Sequence, residues 1–170
     1  MAKGLSLLRN EVWKNANHQK EGLGSLVAEK TESDAVVVRV STDTIVPFIH
    51  NLAYSLPIQK KKIGQLKAGQ VILISFDAIS NEASLETGES KALWIVRQTS
   101  HHKGNLMRTI SISDTWRTYH LPFTLTQDVA GDSLAVVIQF GYRPQNFSVK
   151  HLAIRVFPEG ITDAQLPRPA

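Results

Sequence analysis

Short apolar runs separated by turn-forming residues make up most of the chain from residue 35 onward. The run AVVVRV (35–40) is β-branched over most of its length, which favours a strand over a helix. Turn residues separate such runs, as Gly69 does in KAGQ and Asp114 does between LMRTISIS and TWRTYHLPF. This spacing predicts an all-β fold, an antiparallel sandwich or barrel. The predicted strands are residues 35–40, 70–80, 91–98, 106–113, 115–123, 132–140 and 146–157.

Alternation within the strands assigns their two faces, because successive side chains of a strand point to opposite sides. In SLAVVIQF one face carries only large apolar residues, whereas the other carries an alanine, a valine and Gln139. In KALWIVRQ, Trp94 and Gln98 share one face, while Ile95 and Arg97 share the other. We take the Trp94 face as the exposed one, which would make its ring a platform for a ligand. The alternative is that Trp94 lies in the core and Arg97 on the outside.

The two ends of the chain carry weaker patterns. Leu5, Leu8 and Val12 recur at helical spacing, but GLSLL is equally typical of an initial strand, and both interpretations stay open. The final GITDAQLPRPA is rich in proline and predicts a linker or a loose terminus. We therefore expect one domain over residues 1–158 and a tail over residues 159–170.

Composition fits a single folded domain. The chain has 170 residues, of which 42% are hydrophobic and 20% charged, and no run approaches the roughly 20 apolar residues of a membrane-spanning helix. Its first residues carry no apolar segment typical of a signal peptide. We expect a module of a larger secreted protein, extracellular or at the cell surface, with a cytoplasmic protein as the alternative. Because there is no cysteine, disulfides, thiolate metal sites and cysteine catalysis are excluded.

The net charge of +4 does not indicate a nucleic-acid partner. Its densest cluster, Lys60–Lys62, stands apart from any group of aromatic residues, and this pattern is typical of a solvated loop. We expect no nucleic-acid and no membrane partner. An acidic polysaccharide remains open as a ligand, with Lys60–Lys62, Arg97 and Arg143 as its cationic contacts.

The tetrapeptide GDSL raises the question of a serine nucleophile at Ser133. Such a serine needs a base, a group that orients the base, and oxyanion donors. Hydrolases of the GDSL type place it early in an α/β fold, at the start of a helix, whereas here a β-type run follows, so the sequence predicts a turn. His101 and His102 are adjacent and point to opposite faces of any strand, which argues against a shared metal ion. We therefore expect no catalytic residue, no metal site and no enzyme activity.

Three segments resemble one family. Residues 47–80 (PFIHNLAYSLPIQKKKIGQLKAGQVILISFDAIS), 107–124 (MRTISISDTWRTYHLPFT) and 134–156 (LAVVIQFGYRPQNFSVKHLAIRV) are similar, in order and spacing, to carbohydrate-binding modules of families four, nine and twenty-two. The resemblance implies a galactose-binding-like jelly roll, a two-sheet antiparallel β-sandwich. Such modules are attached to xylanases and other glycoside hydrolases, and they bind a glycan chain on one concave sheet without cleaving it.

The resemblance also implies which residues contact the saccharide. Sugar rings stack their C–H faces on aromatic side chains, and their hydroxyls pair with amides, guanidinium groups and imidazoles. Trp116 and Tyr119 match the family's Trp-x-x-Tyr and are expected in the core, and Phe48 has a buried packing role as its alternative. The expected carbohydrate-binding residues are Phe48, His50, Asn51, Tyr54, Trp94, Gln98, His101, Gln139, Tyr142 and Gln145.

Two departures from the family bear on these expectations: the family's Asn-x-x-Phe-Glu opening is missing, with GLSLL in its place, and the last strand lacks acidic groups. Relatives hold a structural calcium ion partly through acidic groups in the last strand, where this chain has Lys150 and His151. We therefore expect no cofactor, with the calcium ion left as an open alternative. The function we expect is binding of a xylan or β-glucan type polysaccharide or oligosaccharide, next to an attached catalytic domain. The alternative is a structural or protein-interaction sandwich that has lost sugar binding.

Overall fold

The structure is a computed structural model in which part of the chain is described. Side chains are described for residues 64–81, 88–98, 105–130, 133–139, 145–161 and 164–166. Among the described residues, no helix is long and apolar enough to span a bilayer. The described residues are 5–6, 17–19, 24–30, 36–42, 53–56, 64–83, 88–98, 105–130, 133–139, 145–161 and 163–166.

The described residues form β-strands almost throughout, with one short 3-10 helix at Asp163–Gln165. The strands follow the predicted β-branched and alternating runs, and the turn at Gly69 precedes the long strand β7, as predicted. Gly69 has a φ of 92°, a conformation that L side chains rarely adopt, which explains the glycine there. The strands are β1 (Leu5–Ser6), β2 (Asn17–Gln19), β3 (Gly24–Lys30), β4 (Val36–Thr42), β5 (Ala53–Leu56), β6 (Gln65–Leu66), β7 (Val71–Ala83), β8 (Ser90–Arg97), β9 (Leu106–Ile112), β10 (Arg117–Thr124), β11 (Val129–Ala130), β12 (Ala135–Gln139) and β13 (Gln145–Phe157).

The strands pair into two main antiparallel sheets. The six-stranded sheet has the order β10-β7-β13-β4-β3, with β1 also paired to β13, and the five-stranded sheet has the order β2-β5-β12-β8-β9. A small sheet joins β6 and β11. Leu5 of β1 lies opposite Val156 of β13, so Leu5 and Ser6 belong to a strand, whereas Leu8 and Val12 of the helical pattern lie outside the described residues. The predicted two-sheet antiparallel sandwich is confirmed.

The core lies between the two sheets and takes one face of each central strand. Phe76 of β7 stacks on Trp94 of β8, with 4.7 Å between the ring centroids. The alternation predicted for β7 and β12 is confirmed, because alternate residues of each strand point into this core; they are Ile72, Ile74 and Phe76 of β7, Val136 and Ile138 of β12, and Leu134 just before β12. The core includes Ile72, Ile74, Phe76, Ala92, Trp94, Val96, Leu121, Phe123, Leu134, Val136, Ile138, Phe147, Val149 and Ile154.

The segment after β13 packs back onto the outer side of the six-stranded sheet. Leu166 is buried against Val71, Leu73 and Phe157, and Ile161 packs on the same cluster. These contacts attach Ile161 and Leu166 of the predicted tail to the sandwich, while the proline-rich residues 167–170 lie outside the described residues. They bury apolar area that would otherwise face water at the start of β7.

Candidate functional site

The outer side of the five-stranded sheet is the surface on which the sequence places a ligand. Directly opposite residues of antiparallel strands point to the same side, so Met107, Ile95 and Val137 form one row across β9, β8 and β12. The next row is Thr109, Leu93 and Gln139. We call this surface the small-sheet face, and it consists of Lys91, Leu93, Ile95, Arg97, Met107, Thr109, Ser111, Ala135, Val137 and Gln139.

The centre of the small-sheet face is aliphatic and closely covered. Ile95 and Val137 are each only 3% exposed, and the partly buried Leu93 packs against them. On the edge strand β9, Met107 is 61% exposed, so a flexible apolar side chain borders this centre. A ligand would therefore lie against the margin of the face and not against the floor formed by Ile95 and Val137.

One corner of the small-sheet face holds two unsatisfied polar atoms. Asn105 directly precedes Leu106, which pairs with Val96, so Asn105 stands at the register position opposite Arg97. Within the described part of the chain, neither the buried Arg97 Nε nor the buried Asn105 Oδ1 has a hydrogen-bond partner. An unpaired buried donor or acceptor costs about 1–3 kcal/mol. A hydroxyl group both donates and accepts, so it could pair with either atom.

The expectation that Trp94 is a stacking platform is wrong. Its side chain is 1% exposed and lies in the core between the sheets, stacked on Phe76. Of the two alternatives for β8, the structure therefore selects the one with Trp94 inside and Arg97 outside. The physical reason is area, since the large indole removes more apolar surface from water in the core than the arginine stem would.

Gln98 and Gln145 are also placed inside the sandwich, which corrects their expected role as sugar contacts. The amide of Gln98 donates from Nε2 to the Thr126 hydroxyl and accepts from the Thr126 N–H, each at 2.9 Å. Gln145 accepts from the Lys91 N–H at 2.8 Å and donates to the Lys91 carbonyl at 2.7 Å. Both amides are buried, and the donors and acceptors that a sugar would need are already used by the protein.

Gln139 lies where the sequence placed it, on the small-sheet face beside Leu93, and is half-buried. Its contact with a saccharide stays a prediction. Tyr54 has its backbone in β5, opposite Ile138, but its side chain is not among those described. The remaining expected contacts lie outside the described residues; they are Phe48, His50, Asn51, His101 and Tyr142.

Of the two aromatic residues in the Trp-x-x-Tyr motif, Tyr119 lies in the interior and Trp116 at the surface. The prediction for Tyr119 is confirmed, because its ring stacks on Phe76 at 5.4 Å and its hydroxyl accepts from the Ser113 N–H at 2.9 Å. The prediction for Trp116 is wrong, because β10 begins only at Arg117 and leaves Trp116 42% exposed in the preceding bend. The ammonium of Lys150 lies 4.1 Å from the centre of the Trp116 ring.

Ser133 of the GDSL tetrapeptide lies in a turn, as predicted. Its backbone N–H donates to the Ala130 carbonyl at 2.9 Å, and β12 begins shortly afterwards at Ala135. Among the described residues, no hydrogen bond links the Ser133 side chain to a histidine. The same part of the chain contains no group of three histidine or carboxylate side chains that could hold a metal ion.

Sequence reasoning missed Asn105 and the surface around Trp116. The position of Asn105 opposite Arg97 becomes evident only once the register of β9 with β8 is known. Arg97 was named only as the outer residue of one alternative and as a contact for an acidic ligand. One signal in the sequence could have indicated the outer position of Arg97. The two faces of β8 are equally bulky, so either face could be the buried one.

No protein-family model matches the sequence, and no curated protein matches it. Solved structures do match. The family 11 carbohydrate-binding module from Clostridium thermocellum, in complex with a β-1,3-1,4-mixed-linked tetrasaccharide, shares 15% identity; the match covers 91% of this chain and 97% of that chain, with a TM-score of 0.57. The CBM22-1 xylan-binding domain from Paenibacillus barcinonensis shares 9% identity over 89% and 91% of the two chains, with a TM-score of 0.57.

A third match is to the CBM22-1–GH10 modules of an endo-1,4-β-D-xylanase from Clostridium thermocellum, complexed with xylohexaose. It shares 11% identity and covers 89% of this chain but 28% of that chain, with a TM-score of 0.58. At such identities the likeness establishes the fold. The chain has the jelly-roll β-sandwich that these carbohydrate-binding modules share.

Proposed function

We propose that the chain is a non-catalytic carbohydrate-binding module that binds a polysaccharide of the xylan or β-glucan type. The observation that carries the proposal is the match over about nine-tenths of the chain to sandwich modules, one described as xylan-binding and one solved with a β-1,3-1,4-mixed-linked tetrasaccharide. The small-sheet face is the surface we assign to the ligand. Fold alone does not fix function, so the proposal also needs a suitable site.

The margin of the small-sheet face offers the groups that a saccharide requires. Arg97 and Asn105 present an unsatisfied donor and acceptor at one corner, and the half-buried amide of Gln139 lies two strands away from β9 on the same side. The exposed Met107 side chain gives an apolar contact for the C–H face of a sugar ring. Affinity is expected to be modest, because each sugar hydroxyl exchanges a bond to water for a bond to the protein.

The predicted aromatic contacts complete this proposal. Tyr54 of β5 stands at the register position opposite Ile138, a core residue, so it is not assigned to the small-sheet face, and its contact with a saccharide stays a prediction. Phe48 and Tyr142 would add rings for stacking, as the resemblance to the family implies. In this role the module would raise the local concentration of an attached glycoside hydrolase at its polysaccharide, outside the cell.

A second candidate function has its own supporting observation. Ile95 and Val137 are closely covered, so the described part of the small-sheet face does not form an open trough at its centre. A sandwich that serves as a structural or protein-interaction domain would be built in this way. That function predicts no affinity for any glycan.

Affinity electrophoresis and calorimetry against xylan, mixed-linked β-glucan and a broader panel of glycans test the proposal. We expect retardation in at least one glycan gel, and Arg97→Ala should weaken binding about tenfold through loss of a charge-assisted hydrogen bond. Arg155→Ala is the matched control, since Arg155 faces outward on the other sheet opposite Leu73. Absence of binding across the panel would exclude the proposal and favour the structural sandwich.

A further inference from the structure

The outer side of the six-stranded sheet carries a polar cluster where three strands meet. Asp77 of β7 lies opposite Thr118 of β10 on one side and opposite Lys150 of β13 on the other. Their neighbours Phe76 and Val149 belong to the core, so Asp77, Thr118 and Lys150 point away from it. This cluster is on the opposite side of the molecule from the small-sheet face.

A β-bulge in β13 shapes the cluster. The pairing of β13 with β7 shifts between Lys150 and Ala153, and within that interval His151 has a φ of 55°. A left-handed conformation is uncommon for a residue other than glycine, and it persists where surrounding contacts impose it. The contact here is a 2.8 Å hydrogen bond between His151 Nδ1 and Asp77 Oδ2. The bulge therefore directs the imidazole across the sheet surface instead of along the strand.

Asp77 fixes the orientation of the imidazole. Its other oxygen accepts a 2.5 Å hydrogen bond from the Thr118 hydroxyl. Burial raises the pKa of Asp77, but the hydrogen bonds from His151 and Thr118 and the positive charges of His151 and Lys150 outweigh burial, so the pKa lies below its usual value. The ionised carboxylate holds Nδ1, and the side chain of His151 remains 57% exposed. Among the described residues Nε2 has no hydrogen-bond partner.

An exposed indole borders the same cluster. Trp116 and Met107 are the two exposed large hydrophobic side chains in the described part of the chain. The Lys150 ammonium lies 4.1 Å from the centre of the Trp116 ring, a cation–π contact that holds the lysine over the indole. The neighbouring Arg117 is also exposed, and Lys150 is the cation that the contacts place beside both Asp77 and Trp116. The cluster is thus an aromatic surface with a positive edge.

We propose that this cluster is a second ligand site, one that binds an acidic saccharide such as a uronate. The C–H face of the pyranose would pack on Trp116, and the carboxylate would accept a hydrogen bond from Lys150 and, when the imidazole carries both protons, one from Nε2 of His151. An acidic sugar combines an apolar face with an anion in a single ring, which matches the adjacent indole and ammonium. This inference rests on the proposed function only in taking a saccharide as the class of ligand. The two sites share no residue, so each can be tested without the other.

Calorimetry with a galacturonate oligomer and with the neutral galactose oligomer of the same length tests the second site. We expect the acidic oligomer to bind more tightly, with an affinity that falls as salt is raised. Trp116→Ala and Lys150→Ala should each weaken its binding about tenfold. Both side chains are at the surface, so the variants should fold, and Arg155→Ala, which removes a cation elsewhere on β13, should bind normally.

The two proposals fail in different ways. If Arg97→Ala abolishes galacturonate binding while Trp116→Ala and Lys150→Ala leave it unchanged, the acid binds to the small-sheet face and the second site is excluded. Equal binding of the acidic and neutral oligomers, or no binding of either, also excludes it. Galacturonate binding that depends on Trp116, without any binding of xylan or β-glucan, would support the second site and contradict the proposed ligand of the first.

Discussion

Gln145 connects the two sheets through a single amide group. It extends from β13 of the six-stranded sheet and pairs with both the N–H and the carbonyl of Lys91 in β8 of the five-stranded sheet. The amide thus pairs with a strand of the other layer as a backbone peptide group would. Such a buried amide is costly to remove, because the backbone groups it pairs with lose their partners.

We predict that Gln145→Ala lowers the free energy of unfolding by about 1–3 kcal/mol, since it leaves a buried donor and acceptor of Lys91 unpaired. Urea denaturation measures this difference. Gln139→Ala is the matched control: Gln139 is half-buried on the small-sheet face, and its loss should change stability by less than about 0.5 kcal/mol. Equal effects of the two variants would contradict the structural role of Gln145.

Asp77 provides a pH-dependent contribution to stability. The pKa of Asp77 is lowered in the folded state, so its ionised carboxylate stabilises the fold at pH values above about 3.9, the unperturbed pKa of aspartate. This contribution is lost as the pH falls through the pKa of the folded state. The pair with His151 is partly exposed, so its effect should stay below about 1 kcal/mol.

Asp77→Asn should therefore be less stable than the parent chain near neutral pH, with a difference that shrinks in acid. Urea denaturation at a series of pH values measures it. Thr124→Ala, a surface change on β10 at a residue opposite Val71, is the control and should show no such trend. A deficit that stays constant down to pH values well below about 3.9 would show that the charge of Asp77 is not responsible.

At the scale of single elements, β8 is the strand whose two faces are hardest to distinguish. Its core face carries Trp94 and Val96, and its outer face carries Leu93 and Ile95, so both are apolar. A strand covered on both sides loses the alternation that identifies the buried face. For this reason the sequence predicted the strand itself well but assigned the wrong face to Trp94.

Trp94→Ala tests the face assigned to β8. We predict a loss of about 3–5 kcal/mol in the free energy of unfolding, because the substitution leaves a large cavity beside Phe76. Equilibrium denaturation followed by circular dichroism measures this loss. A platform exposed on the surface would behave in the opposite way, with unchanged stability and reduced glycan affinity. Met107→Ala, an apolar residue exposed on β9, is the control and should leave stability nearly unchanged.

Other elements show which structural features the sequence predicts and which it does not. Strands β7 and β12 followed alternation closely, since each has one uniformly large apolar face. The left-handed His151 in β13 could not be predicted, because it arises from a bulge and a contact with Asp77, which is 74 positions away in the sequence. Trp116 was predicted in the wrong place because the motif fixes the spacing between Trp116 and Tyr119 but does not show at which residue β10 begins.

At the scale of the whole molecule, the sandwich presents two outer surfaces of different character. The small-sheet face has an aliphatic centre with Arg97 and Asn105 at one corner. The other sheet is covered at one end by Leu166 and Ile161 and carries the cluster around Trp116 where β7, β10 and β13 meet. If both surfaces bind saccharides, one module could link two glycan chains, and linkage would raise its overall avidity.

Binding of a neutral glycan on the small-sheet face can be followed by an NMR titration of the ¹⁵N-labelled chain with xylohexaose and with a mixed-linked β-glucan tetrasaccharide. We predict that at least one of these ligands shifts the cross-peaks of Arg97, Asn105 and Gln139, while those around Trp116 stay in place. If neither ligand moves any cross-peak, or if the shifts are confined to the outer side of the six-stranded sheet, then the small-sheet face does not bind a neutral glycan of this type.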